Sequence, residues 1–422
     1  MNQTLNNEPS CADDHDPAAI SVDDARTKIQ ERIQPITGKE KLGLRNCLNR
    51  ILAEDVRSPI EVPAHTNSAM DGYAIAGNDL PKTDIKTCQV IGTAFAGTPF
   101  NGSCTTGQVV RIMTGAVIPQ GCDTVIMQEQ VEVLDEARIR IGTGHKTGQN
   151  VRHAGEDIPM GSVVLGSGRQ ITPADLGILA SLGLSELMVF RRPRVAFFST
   201  GDELRSVGEV LEEGQIYDSN RYTLYGMLKR LGVEILDMGV IRDDQEAMQQ
   251  AFISASEMAD IIITSGGVSV GAADFIKPTL ETLGDIRFWK IGMKPGRPLT
   301  FGSINHAHFF GLPGNPVSVM VTFYQFVQPA LHYLASGKVR LPISVKATCI
   351  SALKKRPGRF EFQRGIYEQA ENGGLTVRKT GQQGSGILSS MSYANCFILL
   401  PIESTHIAPG DIVEIQPFDG FI

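Results

Sequence analysis

Three loops rich in glycine and proline between residues 260 and 318 carry the residue types that bind a small anion. Each loop follows or adjoins a short apolar run, which is typical of a buried strand whose carboxyl end is open to a ligand. Open α/β sheets bind their ligands at that edge. The loops are Ser265-Gly266-Gly267-Val268-Ser269, Lys290-Ile291-Gly292-Met293-Lys294-Pro295-Gly296-Arg297-Pro298 and Pro313-Gly314-Asn315-Pro316. Because the second loop carries Lys290, Lys294 and Arg297, the segment predicts an active centre for an anionic small molecule.

The serine-glycine loop that begins at Ser265 lets backbone N–H groups approach an anion, because glycine has no side chain in the way. It lacks the Gly-Lys-Ser/Thr ending of a phosphate-binding Walker loop and the GxGxxG of a dinucleotide site. A helix terminus contributes only ~0.3 to 1 kcal/mol to anion binding, whereas micromolar binding needs about 8 kcal/mol. Several loops, cationic side chains or a metal must therefore act together. Taken singly, a tight strand exit and a solvated basic loop remain alternative interpretations.

Three carboxylates stand at the predicted ends of strands or in the loops that follow them. They are Glu203, Asp243 and Asp274. Hard oxygen ligands that face phosphates suit Mg²⁺, which typically bridges one or two carboxylates to substrate phosphates. Helix capping is the alternative role for Asp243 and Asp274, and a capping residue also lies at the mouth of the crevice.

Two further motifs lie in a segment of short β-like runs. From the residues alone, Asp71-Gly72 is most simply a turn and Thr114-Gly115 the end of a strand. His306 and His308 bracket a predicted turn, and we do not expect them to bind a metal.

The composition excludes several classes of protein. The chain has 422 residues, 42% of them hydrophobic and 20% charged, as expected for a soluble protein of about three domains. A net charge of −7 disfavours a nucleic-acid partner. No apolar run reaches the ~18 residues that span a membrane. The seven cysteines are scattered without CxxC spacing, which predicts reduced thiols in a cytoplasmic protein.

The order of predicted elements indicates an α/β plus β protein of several domains. Ser21 is predicted to cap a helix, a second helical stretch covers Leu44 to Val56, and Thr172-Pro173 begins another helix. Farther along, Asp218 caps a helix that closes at Gly232, Asp243 with Glu246 forms a capping box, and Asn315-Pro316 begins a long apolar helix. The predicted domains are a disordered tail (1–19), a helical domain in two segments (20–58 and 157–192), an inserted β-rich domain (59–156), a doubly wound α/β domain with a parallel sheet (193–338) and a C-terminal β barrel (339–422).

Seven motifs in this order resemble those of the molybdopterin molybdenumtransferases, the family of bacterial MoeA and of the insertase domains of gephyrin and the plant protein Cnx1. The resemblance covers about residues 20 to 420. The motifs are Ser68-Ala69-Met70-Asp71-Gly72-Tyr73-Ala74, Arg111-Ile112-Met113-Thr114-Gly115-Ala116, Gly155-Glu156-Asp157-Ile158, Ser199-Thr200-Gly201-Asp202-Glu203-Leu204, Ser265-Gly266-Gly267-Val268-Ser269, Lys294-Pro295-Gly296-Arg297-Pro298 and Leu312-Pro313-Gly314-Asn315-Pro316.

This resemblance implies a molybdenum insertase. Adenylylated molybdopterin would react with molybdate in a step that depends on Mg²⁺, which releases AMP and forms the molybdenum cofactor. The α/β domain would bind molybdopterin. The family works as a homodimer whose cleft lies between the α/β and C-terminal domains of one subunit and the small β domain of the other. Transient partners would be the molybdopterin adenylyltransferase and apo-molybdoenzymes, with no nucleic acid and no membrane.

The resemblance also implies site residues. The catalytic set is Asp71, Thr114, Asp157, Glu203, Asp243 and Asp274, of which Glu203, Asp243 and Asp274 would hold Mg²⁺. The substrate-binding set is Ser265, Gly266, Gly267, Ser269, Lys290, Lys294, Arg297, Pro313, Asn315, Pro316 and Ser385. Molybdate is a tetrahedral dianion, so arginine, lysine and serine donors suit it, while the dithiolene of the substrate supplies the sulfur ligands.

Two other functions compete with insertion. One is the preceding transfer of an adenylyl group from ATP to molybdopterin, which a related single-domain α/β fold performs. The other is a scaffold or carrier of molybdopterin without catalysis. The additional β domains argue against the first, and the absence of a long linker and a fused adenylyltransferase domain argues against the second.

Overall fold

The computed structural model describes residues 19–266 and 276–418. Its α-helices are α1 (Val22–Arg32), α2 (Pro173–Ser181), α3 (Ser219–Leu231), α4 (Gln245–Met258), α5 (Ile276–Leu283), α6 (Pro316–Thr322), α7 (Gln328–Ser336) and α8 (Ser389–Tyr393). A π-helical turn, Phe323–Val327, joins α6 to α7, and 3₁₀ turns occupy Leu44–Cys47, Gly77–Asp79 and Gln128–Gln130. Within the described residues, no helix is both long enough and apolar enough to cross a membrane.

The strands run from one end of the described chain to the other. They are β1 (Lys39–Gly43), β2 (Val56–Arg57), β3 (Asn67–Ser68), β4 (Gly72–Ile75), β5 (Lys86–Ala94), β6 (Gln108–Ile112), β7 (Thr124–Met127), β8 (Val131–Asp135), β9 (Arg138–Ile141), β10 (Val151–Arg152), β11 (Val163–Leu165), β12 (Glu186–Phe190), β13 (Arg194–Thr200), β14 (Leu204–Arg205), β15 (Ile216–Tyr217), β16 (Glu234–Ile241), β17 (Ile261–Ser265), β18 (Gly284–Lys290), β19 (Met293–Lys294), β20 (Pro298–Ile304), β21 (Ala307–Leu312), β22 (Val345–Cys349), β23 (Leu353–Lys354), β24 (Phe360–Gln369), β25 (Leu375–Lys379), β26 (Cys396–Leu400), β27 (His406–Ile407) and β28 (Ile412–Pro417).

The chain divides into two compact units, residues 40–189 and residues 1–39 with 190–422. The first unit contains a six-stranded sheet in the order β7-β4-β6-β5-β9-β8. Its strands β5, β6 and β7 are formed by three runs whose sequence predicts β structure, at 88–92, 108–113 and 123–127. Alternate residues of β4 are buried on opposite faces of this sheet, because Tyr73 and Ile75 pack in one cluster and Ala74 packs in another. Asp71 and Thr114 adjoin this rigid sheet at the ends of β4 and β6.

The predicted helix from Leu44 to Val56 is wrong. Only Leu44–Cys47 forms a 3₁₀ turn, and Asn49 then adopts a left-handed backbone conformation with φ of 62°. That conformation ends helical hydrogen bonding, and the chain continues to β2, which pairs with β11. The helix after Thr172 is confirmed, because Thr172 and Asp175 form a reciprocal capping box and Pro173 occupies the first turn.

The second unit is built on a six-stranded sheet in the order β16-β13-β17-β21-β20-β18. The strands β16, β13, β17 and β21 are parallel, as predicted for this segment. The sheet as a whole is mixed rather than parallel, because β20 runs antiparallel to both β21 and β18. The short turn between β20 and β21, where Asn305 has φ of 51°, leaves no room for a helical crossover and makes this pair a hairpin.

Helices cover both faces of this sheet. Val195 and Phe197 of β13 join a core that includes residues of α1, α3, α6 and α7. Ala196 and Phe198 point to the other core, which contains residues of α4. This strand is therefore buried on both sides, which explains its continuous apolar sequence. The helix α1 belongs to this unit, although the sequence pattern grouped it with residues 157–192.

The helix caps in this unit match the predictions in part, since Asn315 occupies the N-cap position of α6 but its side chain makes no capping hydrogen bond. Asp218 caps α3, which ends at the left-handed Gly232. However, the N-cap of α4 is Asp244, whose carboxylate accepts a hydrogen bond from the Ala247 N–H at 2.8 Å. The predicted capping role of Asp243 is therefore wrong by one residue, and the Asp243 side chain is not used by the helix.

The predicted C-terminal barrel is confirmed. The strands β24, β25, β22, β28 and β26 follow one another, and a pairing between β24 and β26 closes the circle. Its interior holds Val377, Ile398 and Ile415, all fully buried. The short strand β19, which carries Lys294, pairs in parallel with the start of β24, so the anion loop of the α/β sheet is attached to the barrel.

Candidate active site

A cavity of about 1180 Å³ lies where the loops of the α/β sheet meet the barrel. From the α/β side it is lined by 293–298, by 313–315 and by Ser318. From the barrel side it is lined by Lys354, Lys355, Arg356, Arg359, Glu361, Gln383, Gly384, Ser385, Thr405 and His406. Among the described residues, this lining has six lysine or arginine side chains and one carboxylate. In a chain of net charge −7, that imbalance indicates an anion site.

The loop from Lys294 to Pro298 is held in a cramped conformation. Gly296 has φ of 92°, and a Cβ there would lie 2.7 Å from Cε of Met293 and 2.8 Å from Cγ2 of Thr322. A side chain here would strain the backbone and crowd Met293 and Thr322, so glycine is strongly favoured at this position. The adjacent Arg297 is buried with 6% exposure, while Lys294 is exposed and its Nζ lies 3.5 Å from Oε1 of Glu361. The loop thus brings one buried arginine and one exposed, ion-paired lysine to the cavity lining.

The loop that contains Ser385 is held by a buried arginine. Arg364 donates from its guanidinium to the Gly384 carbonyl at 2.9 Å and to the Ser390 hydroxyl at 3.0 Å. Burial lowers the pKa of Arg364 to about 10. The Ser385 carbonyl accepts a hydrogen bond from the Val317 N–H at 3.1 Å, which joins this loop to the first turn of α6. Arg364 therefore positions Ser385 at the cavity without lining it.

The barrel contributes cations that our sequence interpretation missed. They are Lys354, Arg356 and Arg359, together with the buried Lys355. The signal was present, because Lys354-Lys355-Arg356-Pro357-Gly358-Arg359 is a basic segment in an acidic chain. It lies about sixty residues after Lys294, so only the folded barrel shows that the two segments share a cavity.

The loops at the carboxyl edge of the parallel strands meet as the sequence predicts. A Cβ on Gly314 would lie 3.8 Å from Cα of Gly266, so the residue that directly follows β17 lies next to the loop after β21. Gly266 itself has φ of 94° and packs against the Thr200 carbonyl. The Ser265 hydroxyl is buried and lies 2.9 Å from the Ser199 hydroxyl, so it faces the protein interior.

The same edge holds polar atoms that find no hydrogen-bond partner among the described residues. They are Oγ1 of Thr200, Oδ2 of Asp218 and Oδ1 of Asn220. Asn220 also donates from Nδ2 to the Gly314 carbonyl at 2.7 Å, which connects α3 to the proline-glycine loop. Our sequence interpretation gave Asp218 only a capping role. Buried acceptors of this kind suit a ligand that donates hydrogen bonds.

Three carboxylates near the neighbouring strand ends, those of Asp202, Glu203 and Asp243, are close enough to interact. Burial raises the pKa of Asp243, and the carboxylates of Asp202 and Glu203 raise it further. The Glu203 carboxylate lies over Gly201, where a Cβ would be 2.5 Å from its Oε2. Mutual repulsion of this kind is relieved by a cation. Nevertheless, residues 19–266 and 276–418 contain no group of three or more His, Cys, Asp or Glu side chains placed to hold a metal ion.

In the β-rich unit, Asp71 and Thr114 come together. One carboxylate oxygen of Asp71 accepts hydrogen bonds from the Thr114 N–H at 2.7 Å and from its hydroxyl at 2.8 Å. These bonds, first that from the backbone, lower the pKa of Asp71. Asp157 lies in the same unit with an exposed side chain, and its N–H donates to the Val62 carbonyl at 3.0 Å.

The remaining predicted residues are distributed as follows. Pro313 and Asn315 line the cavity, and Pro316 begins α6 directly beside them. Lys290, at the end of β18, is exposed and does not belong to the lining set. Gly267, Ser269 and Asp274 lie outside the described residues.

Known families match nearly the whole of the described chain. A model described as the MoeA N-terminal region, domains I and II, matches residues 20–183. A probable molybdopterin binding domain matches residues 196–333. The MoeA C-terminal region, domain IV, matches residues 346–418.

Individual relatives show the same likeness. A molybdopterin molybdenumtransferase of Haemophilus influenzae is 47% identical over 404 residues, which are 96% of this chain and 100% of the relative. Gephyrin of Dictyostelium discoideum is 33% identical over 445 residues, which cover 93% of this chain and 61% of gephyrin. The crystal structure of the molybdopterin biosynthesis MoeA protein of Pyrococcus horikoshii OT3 has a TM-score of 0.82 at 30% identity, covering 95% of this chain and 100% of that protein.

Proposed function

This chain belongs to the MoeA family of molybdopterin molybdenumtransferases, and on that premise we propose that it inserts molybdenum into molybdopterin. The enzyme is a transferase of molybdenum cofactor biosynthesis. We further propose that its substrates are adenylylated molybdopterin and molybdate, and that AMP is the second product. Every reactant is then an anion or carries phosphate.

The observation that carries this proposal is the basic cavity of about 1180 Å³. Its volume suits two ligands at once, because drug-sized pockets of ~300 to 1,000 Å³ accommodate a single one. Buried Arg297 can hold an oxyanion with two parallel hydrogen bonds, and Ser385 adds a hydroxyl donor. Gly266, directly after β17, lies next to Gly314 of the loop after β21 at the sheet edge, where the pterin would bind.

We propose that Mg²⁺ is held by Glu203 and Asp243 together with Asp274. The raised pKa of Asp243 supports a cation there, since desolvation and nearby carboxylates both oppose its ionisation in the free protein. When bound, the ion would neutralise negative charge on the phosphates of the substrate. The described carboxylates do not complete a metal site, so substrate oxygens would have to supply the remaining ligands.

The residues of the chain itself bind and orient the reactants. Arg297, Lys294 and Ser385 would fix the oxyanion, and the cramped turn at Gly296 would keep Arg297 in place. The attacking oxygen belongs to molybdate or to water, and cleavage of the phosphoanhydride leaves AMP. We assign no protein nucleophile. Catalysis in this arrangement comes from proximity and charge stabilisation.

We propose that the enzyme acts in the cytoplasm as a homodimer. In that assembly Asp71 and Thr114 of one subunit would complete the cleft of the other. Their hydrogen-bonded pairing supports a functional role, because it keeps the exposed Asp71 carboxylate ionised and oriented. A variant in which Asp71 is changed and one in which Lys294 is changed should then complement each other in mixed dimers.

The test is AMP release from adenylylated molybdopterin by the full-length protein, with molybdate and Mg²⁺ each present or omitted. We expect release to require both, and the product to activate a molybdenum-free apo-enzyme. Turnover of ATP with molybdopterin would instead support an adenylyltransferase. Tight substrate binding without AMP release would support a carrier.

A further inference from the structure

A buried glutamine in the π-helical turn joins α1 to the barrel. The Gln325 side chain is fully buried, and its Oε1 accepts a hydrogen bond from Nη2 of Arg26, whose Nε also donates to the Gln325 carbonyl at 3.1 Å. Nε2 of Gln325 donates to Oε1 of Gln416 at 2.8 Å. Arg26 lies on α1, and Gln416 lies on β28 of the barrel. These three residues form a relay of hydrogen bonds, the Arg26–Gln325–Gln416 relay.

The arginine determines the direction of every hydrogen bond in the relay. A guanidinium only donates, so the amide oxygen of Gln325 faces Arg26 and its amide nitrogen faces Gln416. The other ion-pair partner of Arg26, Asp23, has a side chain that is 87% exposed, so that contact contributes little. Gln325 is therefore the buried partner of a largely buried cation. A side chain at 325 without an acceptor and a donor would leave buried polar groups unpaired.

The apolar contacts around the relay do not have this directional character. Tyr324 stacks on Phe418 with ring centroids 5.6 Å apart, and Phe397 packs edge-on against both rings. Phe362 and Phe397 of the barrel belong to the same core cluster as residues of α1 and α6. Such contacts hold the barrel against the helices but tolerate small displacements, because hydrophobic attraction is non-directional. A fully satisfied buried polar network instead specifies one arrangement.

The helix that leads into the π-helical turn supports one wall of the cavity. Cγ2 of Thr322 in α6 lies 2.8 Å from the Cβ position of Gly296, the residue before Arg297. The Val317 N–H of the same helix donates to the Ser385 carbonyl of the barrel at 3.1 Å. A displacement of the barrel against α6 would therefore move Ser385 relative to Arg297.

We propose that Gln325 is a positioning residue, and that its relay to Arg26 and Gln416 sets the separation between the α/β wall and the barrel wall of the cavity. Gln325 does not belong to the cavity lining, so it acts through the elements that it joins. The use of the two walls to hold molybdate rests on the proposed function, whereas the relay is a contact within the protein.

Two variants and one control test this role. Gln325→Met keeps the length of the side chain but removes its acceptor and its donor. Gln325→Glu is the conservative variant, because its carboxylate accepts from Arg26 and, once the Gln416 amide rotates, from Gln416 as well. Ser256→Ala is the matched control for lost stability. It deletes a buried hydroxyl of α4 that accepts a hydrogen bond from Nδ2 of Asn305 at 2.8 Å, and α4 covers the other face of the sheet.

Two backbone hydrogen bonds report the separation of the walls without any ligand. One is the bond from Val317 to Ser385, and the other runs from the Phe360 N–H of the barrel to the Gly292 carbonyl at 2.9 Å. Hydrogen–deuterium exchange of the full-length protein, followed by mass spectrometry of peptides that contain Val317 or Phe360, measures how often each bond opens. Equilibrium dialysis of molybdate then measures the effect on ligand binding.

We expect Gln325→Met to exchange both amide hydrogens about tenfold faster than wild type and to bind molybdate about tenfold more weakly. Gln416→Met, which breaks the relay from the barrel side, should show the same changes. Gln325→Glu should stay within about twofold of wild type in both measurements. Ser256→Ala should melt at a lower temperature, with unchanged exchange at Val317 and Phe360 and unchanged molybdate affinity.

Wild-type exchange rates in folded Gln325→Met and Gln416→Met would overturn the proposal. Equal losses in Ser256→Ala would do so too, because they would assign the effect to general stability. A Gln325→Glu variant as impaired as Gln325→Met would show that hydrogen bonding is not the cause. If Gln325→Met does not fold, Gln416→Met decides the question. Absence of molybdate binding in the wild type would remove the proposed substrate, whereas the exchange rates would still decide the positioning role.

Discussion

Thr114 donates two hydrogen bonds to a single carboxylate oxygen of Asp71, although the two residues are 43 positions apart. The pairing joins the residue before β4 to the loop after β6, and both side chains are exposed. The two bonds hold the Asp71 carboxylate against the loop after β6 and fix the direction in which its second oxygen points.

Thr114→Val should raise the pKa of Asp71. The backbone bond from residue 114 is the larger cause of the lowered pKa and remains in the variant, so the rise should be partial. Because these hydrogen bonds favour the ionised carboxylate, they stabilise the folded protein above the ordinary aspartate pKa of about 3.9. This stabilisation is lost as the pH falls through the lowered pKa of Asp71. Carbon-detected NMR titration of the Asp71 carboxyl measures this pKa.

Thr114→Ser is the matched control, because it keeps the hydroxyl. We expect its Asp71 pKa to equal that of the wild type and its rate of AMP release to be retained, whereas the valine variant should lose most of its activity. An identical Asp71 pKa in the valine and serine variants would show that the side-chain bond does not form in solution.

Arg364→Met should loosen the loop of Ser385. The variant leaves the Gly384 carbonyl and the Ser390 hydroxyl without their buried donor, which we expect to cost about 2 kcal/mol in the free energy of unfolding. It should also raise the KM for molybdate about tenfold with a smaller change in kcat, because Arg364 positions Ser385 without touching substrate. Urea unfolding and steady-state kinetics check both effects. A kcat that falls while KM stays constant would contradict the positioning role.

Gly296→Ala should be far more damaging than an alanine at another glycine with positive φ. Gly373, in the turn between β24 and β25, has φ of 82° and nothing within 4 Å of its Cβ position. Gly373→Ala therefore introduces only backbone strain, which should lower the free energy of unfolding by about 1 kcal/mol. Gly296→Ala adds contacts with Met293 and Thr322, for a total of about 3 kcal/mol. Equal melting temperatures for the two variants would mean that the loop relaxes freely.

The adjacent aspartates Asp243 and Asp244 should separate function from stability. Asp243→Asn is expected to raise the Mg²⁺ concentration needed for half-maximal AMP release by about tenfold or more, with little change in unfolding free energy. Asp244→Ala removes the N-cap of α4 and should cost about 1 kcal/mol while leaving the Mg²⁺ requirement as it is. Activity and thermal unfolding measured on both variants decide this, and a reversed pattern would exchange their roles.

Local sequence patterns were sufficient to predict strands that are buried on both faces and helices that begin with a strong cap. The apolar run of β17, the cap at Asp218 and the stop at Gly232 were all predicted because each depends on neighbouring residues. The one-residue error at Asp243 has a local cause as well. Both aspartates are able to cap, and the extended backbone of Asp244 decides which one does.

What the sequence could not predict depends on contacts between distant residues. The antiparallel hairpin of β20 and β21 is a choice of strand pairing, and so is the particular pairing of β24 with β26 by which the predicted barrel closes. The contribution of Arg356 to the cavity follows from that closure. A basic segment alone does not indicate which loop it will face, so the position of Arg356 in the cavity depends on the folded barrel.

Glu361→Gln should strengthen anion binding. Glu361 is the carboxylate of the cavity lining, and it accepts hydrogen bonds from Lys294 at 3.5 Å and from Gln363 at 3.0 Å. Glutamine keeps the shape and an acceptor oxygen but removes the negative charge, so Lys294 is no longer shared with a carboxylate. With an effective dielectric constant close to that of water (~80) in the open cavity, removal of a charge ~6 to 10 Å from a bound dianion is worth about 1 kcal/mol and should increase molybdate affinity by roughly three- to tenfold. Equilibrium dialysis at two ionic strengths measures the change, which should shrink as salt screens the site. Weaker molybdate binding in this variant would mean that Glu361 serves chiefly to hold Lys294 in its binding position.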